Sequence, residues 1–104
     1  MQRVALYART NVATQDPEVQ LEAAREYAAS RGWTVEGEYV DRCITGQVAL
    51  SERPAGRLLV EGARGGRFGI LLTYDLTRLY RRQGDQRSIE DLAADCGIAI
   101  ATLR

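Results

Sequence analysis

The chemistry open to this chain lies in its arginines. Arg9 stands two residues before Asn11 in the run Tyr7-Ala-Arg-Thr-Asn11, and Arg78 stands three before Arg81 in Thr77-Arg-Leu-Tyr-Arg81. A guanidinium is permanently charged and presents a planar fork of N–H donors that matches two oxygens of one phosphate. Brought together, the two sets could clamp a phosphate, with Arg9 and Asn11 as its floor. All 14 basic residues are arginines, a choice that codon usage in a GC-rich genome explains as well as function does. There is no histidine, so no Ser-His-Asp, Cys-His or histidine-metal site can be built within the chain.

The 104 residues correspond to one domain, with the 45% apolar and 27% charged fractions of an ordinary soluble globular protein. The 14 acidic residues balance the arginines, so bulk charge gives no reason to invoke nucleic acid. The distribution is more informative: residues 53 to 87 carry eight arginines against three acids. This block can meet an anionic ligand or be a solvated helix face. Cys43 and Cys96 are far apart and lack CxxC spacing, which suggests neither a zinc site nor a disulfide framework. No cofactor or metal is implied. No apolar stretch reaches the roughly 20 residues of a membrane helix, and the expected location is cytoplasmic.

The arginines must be held by regular elements. The stretch from Arg3 to Asn11 reads as a strand, with Tyr7, Arg9 and Asn11 on one side and Leu6, Ala8 and Thr10 on the other. Asp16 and Pro17 mark a helix start as N-cap and first position, Leu21, Ala24, Tyr27 and Ala28 make its buried stripe, and Gly32 supplies a left-handed end. Residues 33–40 alternate as a second strand, with Trp33, Val35 and Tyr39 to one side and Asp41 ending it. Residues 42–52 form a mobile, functional loop, longer than most connections. Arg53-Pro54 opens a second helix with Leu58, Leu59, Gly62 and Ala63 inward, stopped by Gly65-Gly66. A third strand over 68–74, an arginine-rich turn over 75–83, a third helix over 88–96 and a last strand over 98–103 complete the chain.

Strands alternating with helices predict an α/β fold of three layers, a mainly parallel sheet of four or slightly more strands flanked by helices. Ligands of such folds bind beyond the carboxyl ends of the strands. Arg9 with Asn11, Asp41, and Arg78 with Arg81 all follow such ends and can converge there.

Together these pieces resemble the catalytic domain of the serine recombinases, the resolvases and invertases. The family's Y-A-R-V-S strand corresponds to YARTN and its D-P-E-x-Q helix start to DPEVQ. Its V-D before a mobile loop corresponds to Val40-Asp41, its R-P element to Arg53-Pro54, and its D-R-L-x-R signature to residues 77–81. The resemblance covers essentially the whole chain, in order. It implies a resolvase-like fold, attack of a serine hydroxyl on a DNA phosphodiester, and stabilisation of the charged phosphorus by Arg9, Arg53, Arg78 and Arg81, with Asp41 at a further site position.

Asn11 occupies the serine position, and a carboxamide has no hydroxyl with which to attack phosphorus. Thr10 points away from Arg9 by strand alternation. Thr77 replaces the family's aspartate and Tyr80 a small residue. The resemblance also leads us to expect a dimerisation helix and a DNA-binding region beyond Arg104. The expected function is thus a recombinase-family domain that binds DNA phosphate weakly and does not cleave. The alternatives are a regulatory or structural module acting as a homodimer or beside an active recombinase, and a fragment or substituted version of a working enzyme. Asp41 can equally be a strand-end turn residue or an arginine's partner, Arg9, Arg78 and Arg81 can be salt-bridged at a strand edge, and Arg53 can simply start a helix. Tyr7 and Tyr74 are expected as core or site-wall aromatics, and Cys43 as a small neutral filler.

Overall fold

The computed structural model describes residues 2–104. The run Arg3–Arg9 forms β1, in which every residue after Arg3 is buried. Such a strand must have neighbours on both edges and layers on both faces. It has all four. It pairs in parallel with β2 (Thr34–Asp41) on one side and β3 (Ile70–Thr73) on the other, and β4 (Ala99–Thr102) pairs in parallel beyond β3.

Each connection is a helix: α1 (Glu18–Ser30), α2 (Pro54–Arg64) and α3 (Gln83–Cys96). Leu21, Ala24 and Ala28 of α1 pack with Val4, Leu6, Ala8, Ile70 and Leu72 on one face of the sheet. Leu59 and Ala63 of α2 and Ile89 of α3 pack with Ala5, Tyr7 and Leu71 on the other. The predicted three-layer α/β architecture is therefore present. Each fully buried leucine of these clusters contributes about 1.5–3 kcal/mol. The strand order β2-β1-β3-β4 reverses between β1 and β3, which opens a crevice at their carboxyl ends.

Local signals in the sequence account for most boundaries. The Asp16 carboxylate accepts the Glu18 amide at 3.0 Å, and Pro17 already has helical angles, as a first-turn proline should. Gly32 and Gly97 both have φ near 70° and end α1 and α3 in the left-handed conformation.

Four expectations are corrected. Leu58 is 53% exposed, because Gly56, Leu59 and Ala63 form the inward stripe and a 3.6-residue period turns position 58 about 100° away. Trp33 and Tyr39 lie on opposite faces, in different core clusters, and Val35 is exposed. A register shift places Val35 opposite Val4 but Gly37 opposite Ala5, so one extra residue reverses the alternation. Helix α3 begins at Gln83 rather than Ser88; its first turns have no buried residue to show a period. The segment 42–52 is not wholly irregular, since Leu50–Glu52 form a 3-10 turn with Leu50 buried. No helix among the described residues is long and apolar enough to cross a membrane.

Candidate phosphate-binding site

Arg9 ends β1 at the crevice, yet its residue is fully buried. Its guanidinium donates from Nε to the Arg78 carbonyl at 3.2 Å, from Nη2 to the Thr77 carbonyl at 2.8 Å, and from Nη1 to the Ile44 carbonyl at 2.8 Å and to Asn11 Oδ1. Four of its five donors are therefore met by the protein. Its main chain is held too: Gln20 donates from Nε2 to the Arg9 carbonyl at 3.0 Å and accepts the Arg9 amide at 3.2 Å. The side chain of Gln20 stands in for a neighbouring strand where the sheet ends.

Arg53 is also fully buried, although it immediately precedes α2. It donates to the carbonyls of Val48 at 2.9 Å, Arg78 at 2.5 Å and Leu79 at 3.0 Å, and to the Tyr7 hydroxyl at 3.0 Å. The loop after β2 and the turn after β3 are thus stapled together by two guanidinium groups that share the Arg78 carbonyl.

Asp41 is neither of the two things its sequence position suggested. Its Oδ1 accepts the Ala55 amide at 2.8 Å, and its Oδ2 accepts the Gly56 amide at 2.9 Å and the Tyr7 hydroxyl at 2.8 Å. It makes no ion pair with an arginine among the described residues and instead caps α2 from another strand. Tyr7 links the two systems, since its hydroxyl donates to Asp41 and accepts from Arg53. Burial holds the Tyr7 pKa well above its ordinary value, with Arg53 opposing and Asp41 adding to the shift.

The second arginine set behaves differently. Arg78 is partly exposed; its Nε has no hydrogen-bond partner among the described residues, and Asp75 Oδ1 lies 3.8 Å away. Its guanidinium carbon is 5.9 Å from the centre of the Tyr74 ring. Arg81 is exposed and has no hydrogen-bond or ion-pair partner among the described residues. Burial, followed by the charges of Arg53, Arg78 and Arg81, pulls the Arg9 pKa down to about 10, still protonated at neutral pH. Four arginines therefore gather at one end of the sheet. Asp41 is hydrogen-bonded to the α2 amides and makes no direct ion pair with any of the four.

Asn11 is half-buried beside Arg9, and its amide donates to Gln15 Oε1 at 2.8 Å. Thr10 is buried and faces the other way, its hydroxyl accepting the Cys43 amide at 3.4 Å. Thr77 bonds Asp75 through its amide and its hydroxyl. Tyr80 packs against the α2/α3 core. Cys43 is exposed and free.

The structure brings Arg9, Asn11, Asp41, Arg53, Arg78 and Arg81 to one edge of the sheet. Tyr7, placed by strand alternation on the same face as Arg9 and Asn11 and expected as a core or site-wall aromatic, has a further part, since its hydroxyl joins Arg53 to Asp41. One participant was missed. Gln20 is the last residue of DPEVQ, and nothing local to it announces a bond to a strand eleven residues earlier.

Residues 4–104 match the family described as Resolvase, N terminal domain. The chain belongs to that family, the catalytic domain of the serine recombinases. The N-terminal catalytic domain of TP901-1 integrase superposes on this resolvase-type domain with a TM-score of 0.89 and 28% identity, covering 98% of this chain and 78% of that one. The C-terminal catalytic domain of ISC1926 TnpA, an IS607-like serine recombinase, gives 0.88 at 24% identity, over 98% of this chain and 70% of that one. A resolvase family site-specific recombinase from Streptococcus pneumoniae gives 0.81 at 21% identity, over 98% and 72%. These last two share the fold. No curated protein matches the sequence.

Proposed function

We propose that this resolvase-type domain binds the phosphodiester backbone of DNA at the carboxyl edge of its sheet and, with Asn11 where the family carries its serine, does not form a covalent DNA intermediate. The observation that carries the reading is the concentration of positive charge: Arg9, Arg53, Arg78 and Arg81 converge where the one buried carboxylate, Asp41, is hydrogen-bonded to helix amides, Arg81 has no hydrogen-bond or ion-pair partner among the described residues, and Arg78 has a single long ion pair, 3.8 Å, with the partly exposed Asp75. An anion supplies the missing acceptor and relieves the repulsion among the four guanidinium groups. The absence of cleavage rests on chemistry. The Asn11 carboxamide is engaged by Arg9, and the nearby Thr10 hydroxyl is buried and turned away.

Two measurements test this. Retention of a short duplex should weaken steeply with salt, because phosphate contacts release counterions, and Arg78→Ala should reduce it. On a denaturing gel the Asn11 protein should give no covalent DNA band, and Asn11→Ser should create one. A band already present with Asn11 overturns the second half of the proposal.

A second reading, association with another protein as a non-cleaving partner, is favoured by one feature. Val12, Val19 and Leu76, on segments that flank the site, are 50%, 68% and 43% exposed. Size-exclusion showing a stable complex without DNA, together with no salt-sensitive DNA retention, would select it.

A further inference from the structure

Arg81 is held by no hydrogen bond or ion pair among the described residues, yet its place is defined. The backbone of Gly46 supports its aliphatic stem. A Cβ at Gly46 would lie 2.6 Å from Arg81 Cγ, 2.7 Å from Cδ and 2.9 Å from Nε, and these are its three nearest contacts. Gly46 has no left-handed φ, unlike Gly32, Gly66 and Gly97, so backbone conformation does not demand glycine there. Its neighbours differ from those of the packing glycines. A Cβ at Gly56 would meet the Leu50 carbonyl, and one at Gly62 the Phe68 ring. At Gly46, Arg81 supplies the three nearest atoms.

We propose that Gly46 is a positioning residue for Arg81: its bare backbone is the seat that lays the Arg81 stem along the loop after β2 and delivers the guanidinium to the anion site. The loop carrying the seat is fixed from the other side, since Arg9 donates to the Ile44 carbonyl at 2.8 Å and the Ile44 amide donates to the Thr10 carbonyl at 3.0 Å. Arg9 thus acts on Arg81 through the loop, while Arg81 itself is free to contact a ligand. The inference rests on the phosphate-binding reading above and adds to it which residue aims the exposed arginine.

Because the clashing atoms belong to an exposed, flexible side chain, Gly46→Ala should fold and move only Arg81. The experiment is a double-mutant cycle on the whole chain: wild type, Gly46→Ala, Arg81→Ala and the double variant, with binding of a short duplex DNA measured by anisotropy across a salt series. Each single variant should lower the slope of log affinity against log salt by about one unit, the loss of one phosphate contact. The double variant should lose no more than Arg81→Ala alone. A loss general to the fold would add to that of Arg81→Ala. Without DNA, the Arg81 Nε–H resonance should shift in Gly46→Ala; an unmoved resonance overturns the seat. A weakened Arg81→Ala beside an unaffected Gly46→Ala also overturns the seat and leaves phosphate binding intact. Wild-type protein with no salt-dependent retention overturns the phosphate-binding reading and this inference with it.

Discussion

Arg9 and Arg53 are fully buried and make eight hydrogen bonds, six of them to main-chain carbonyls, whereas Arg78 is partly exposed and Arg81 exposed. All four carry the same group within one end of one sheet. The difference teaches that a guanidinium has two uses beside the proposed anion site. Buried among carbonyls it shapes two loops, because its fixed fork of donors can satisfy acceptors that no helix or strand reaches. Left at the surface it keeps donors for a ligand. The turn that presents Arg78 and Arg81 is itself held by the buried pair, so the structural arginines set the geometry of the exposed ones.

The largest effect separating the two pairs should come from Arg53→Ala. It removes the guanidinium donor from the carbonyls of Val48 and Leu79 and from the Tyr7 hydroxyl and leaves the Arg78 carbonyl to Arg9 alone, and we expect a loss of about 3–5 kcal/mol in urea unfolding. Next is Asp41→Ala, which removes two amide contacts of the α2 cap and the acceptor of Tyr7. The expected loss is about 2–3 kcal/mol by the same measurement. A change below about 0.5 kcal/mol for either variant would mean that their bonds stabilise nothing.

Tyr7→Phe should cost less, about 1–2 kcal/mol, and it carries a pH signature. Burial raises the Tyr7 pKa above its ordinary 10.0. Above that pH the unfolded chain releases the phenolic proton and the folded chain keeps it, so the unfolded state binds fewer protons and stability falls as pH rises. Between about pH 10 and 11 the wild type should lose up to about 1.4 kcal/mol more than Tyr7→Phe. Arg9, with its lowered pKa, pulls the opposite way in both chains; Tyr7 itself holds the Arg9 pKa up, so its removal strengthens that opposing pull in the variant and adds to the difference in the same direction. Equal losses in the two chains would show that Tyr7 has no raised pKa. Smallest of all, Arg81→Ala should change stability by less than about 0.5 kcal/mol while weakening salt-dependent DNA retention. A stability loss as large as that of Arg53→Ala would erase the distinction between the two pairs.

Much of the fold was legible. The apolar run of β1, the Leu21, Ala24 and Ala28 stripe of α1 and the terminal glycines of α1 and α3 are local patterns, and each element formed where its pattern stood. The misreadings occur where a pattern is interrupted or absent. The extra residue in β2 reversed the faces of Trp33 and Tyr39, and the early turns of α3 are too solvated to carry an apolar stripe. At the site, the motifs gathered the right residues without revealing what each would touch. Asp41 is the clearest case, since its partners are the amides of a helix fourteen and fifteen residues later.

By itself the sequence determined the alternation of strands and helices, the end of the sheet where the arginines would collect, and the absence of a hydroxyl at position 11. Those properties follow from residue type and short-range spacing. Only the tertiary structure decided which arginines are spent within the protein and which stay at its surface. Donors are used up by carbonyls and a hydroxyl brought from distant segments, by the return of the Thr77–Leu79 turn onto Arg9 and Arg53. That pairing arises when the loops close over the sheet, and no local stretch of sequence contains it.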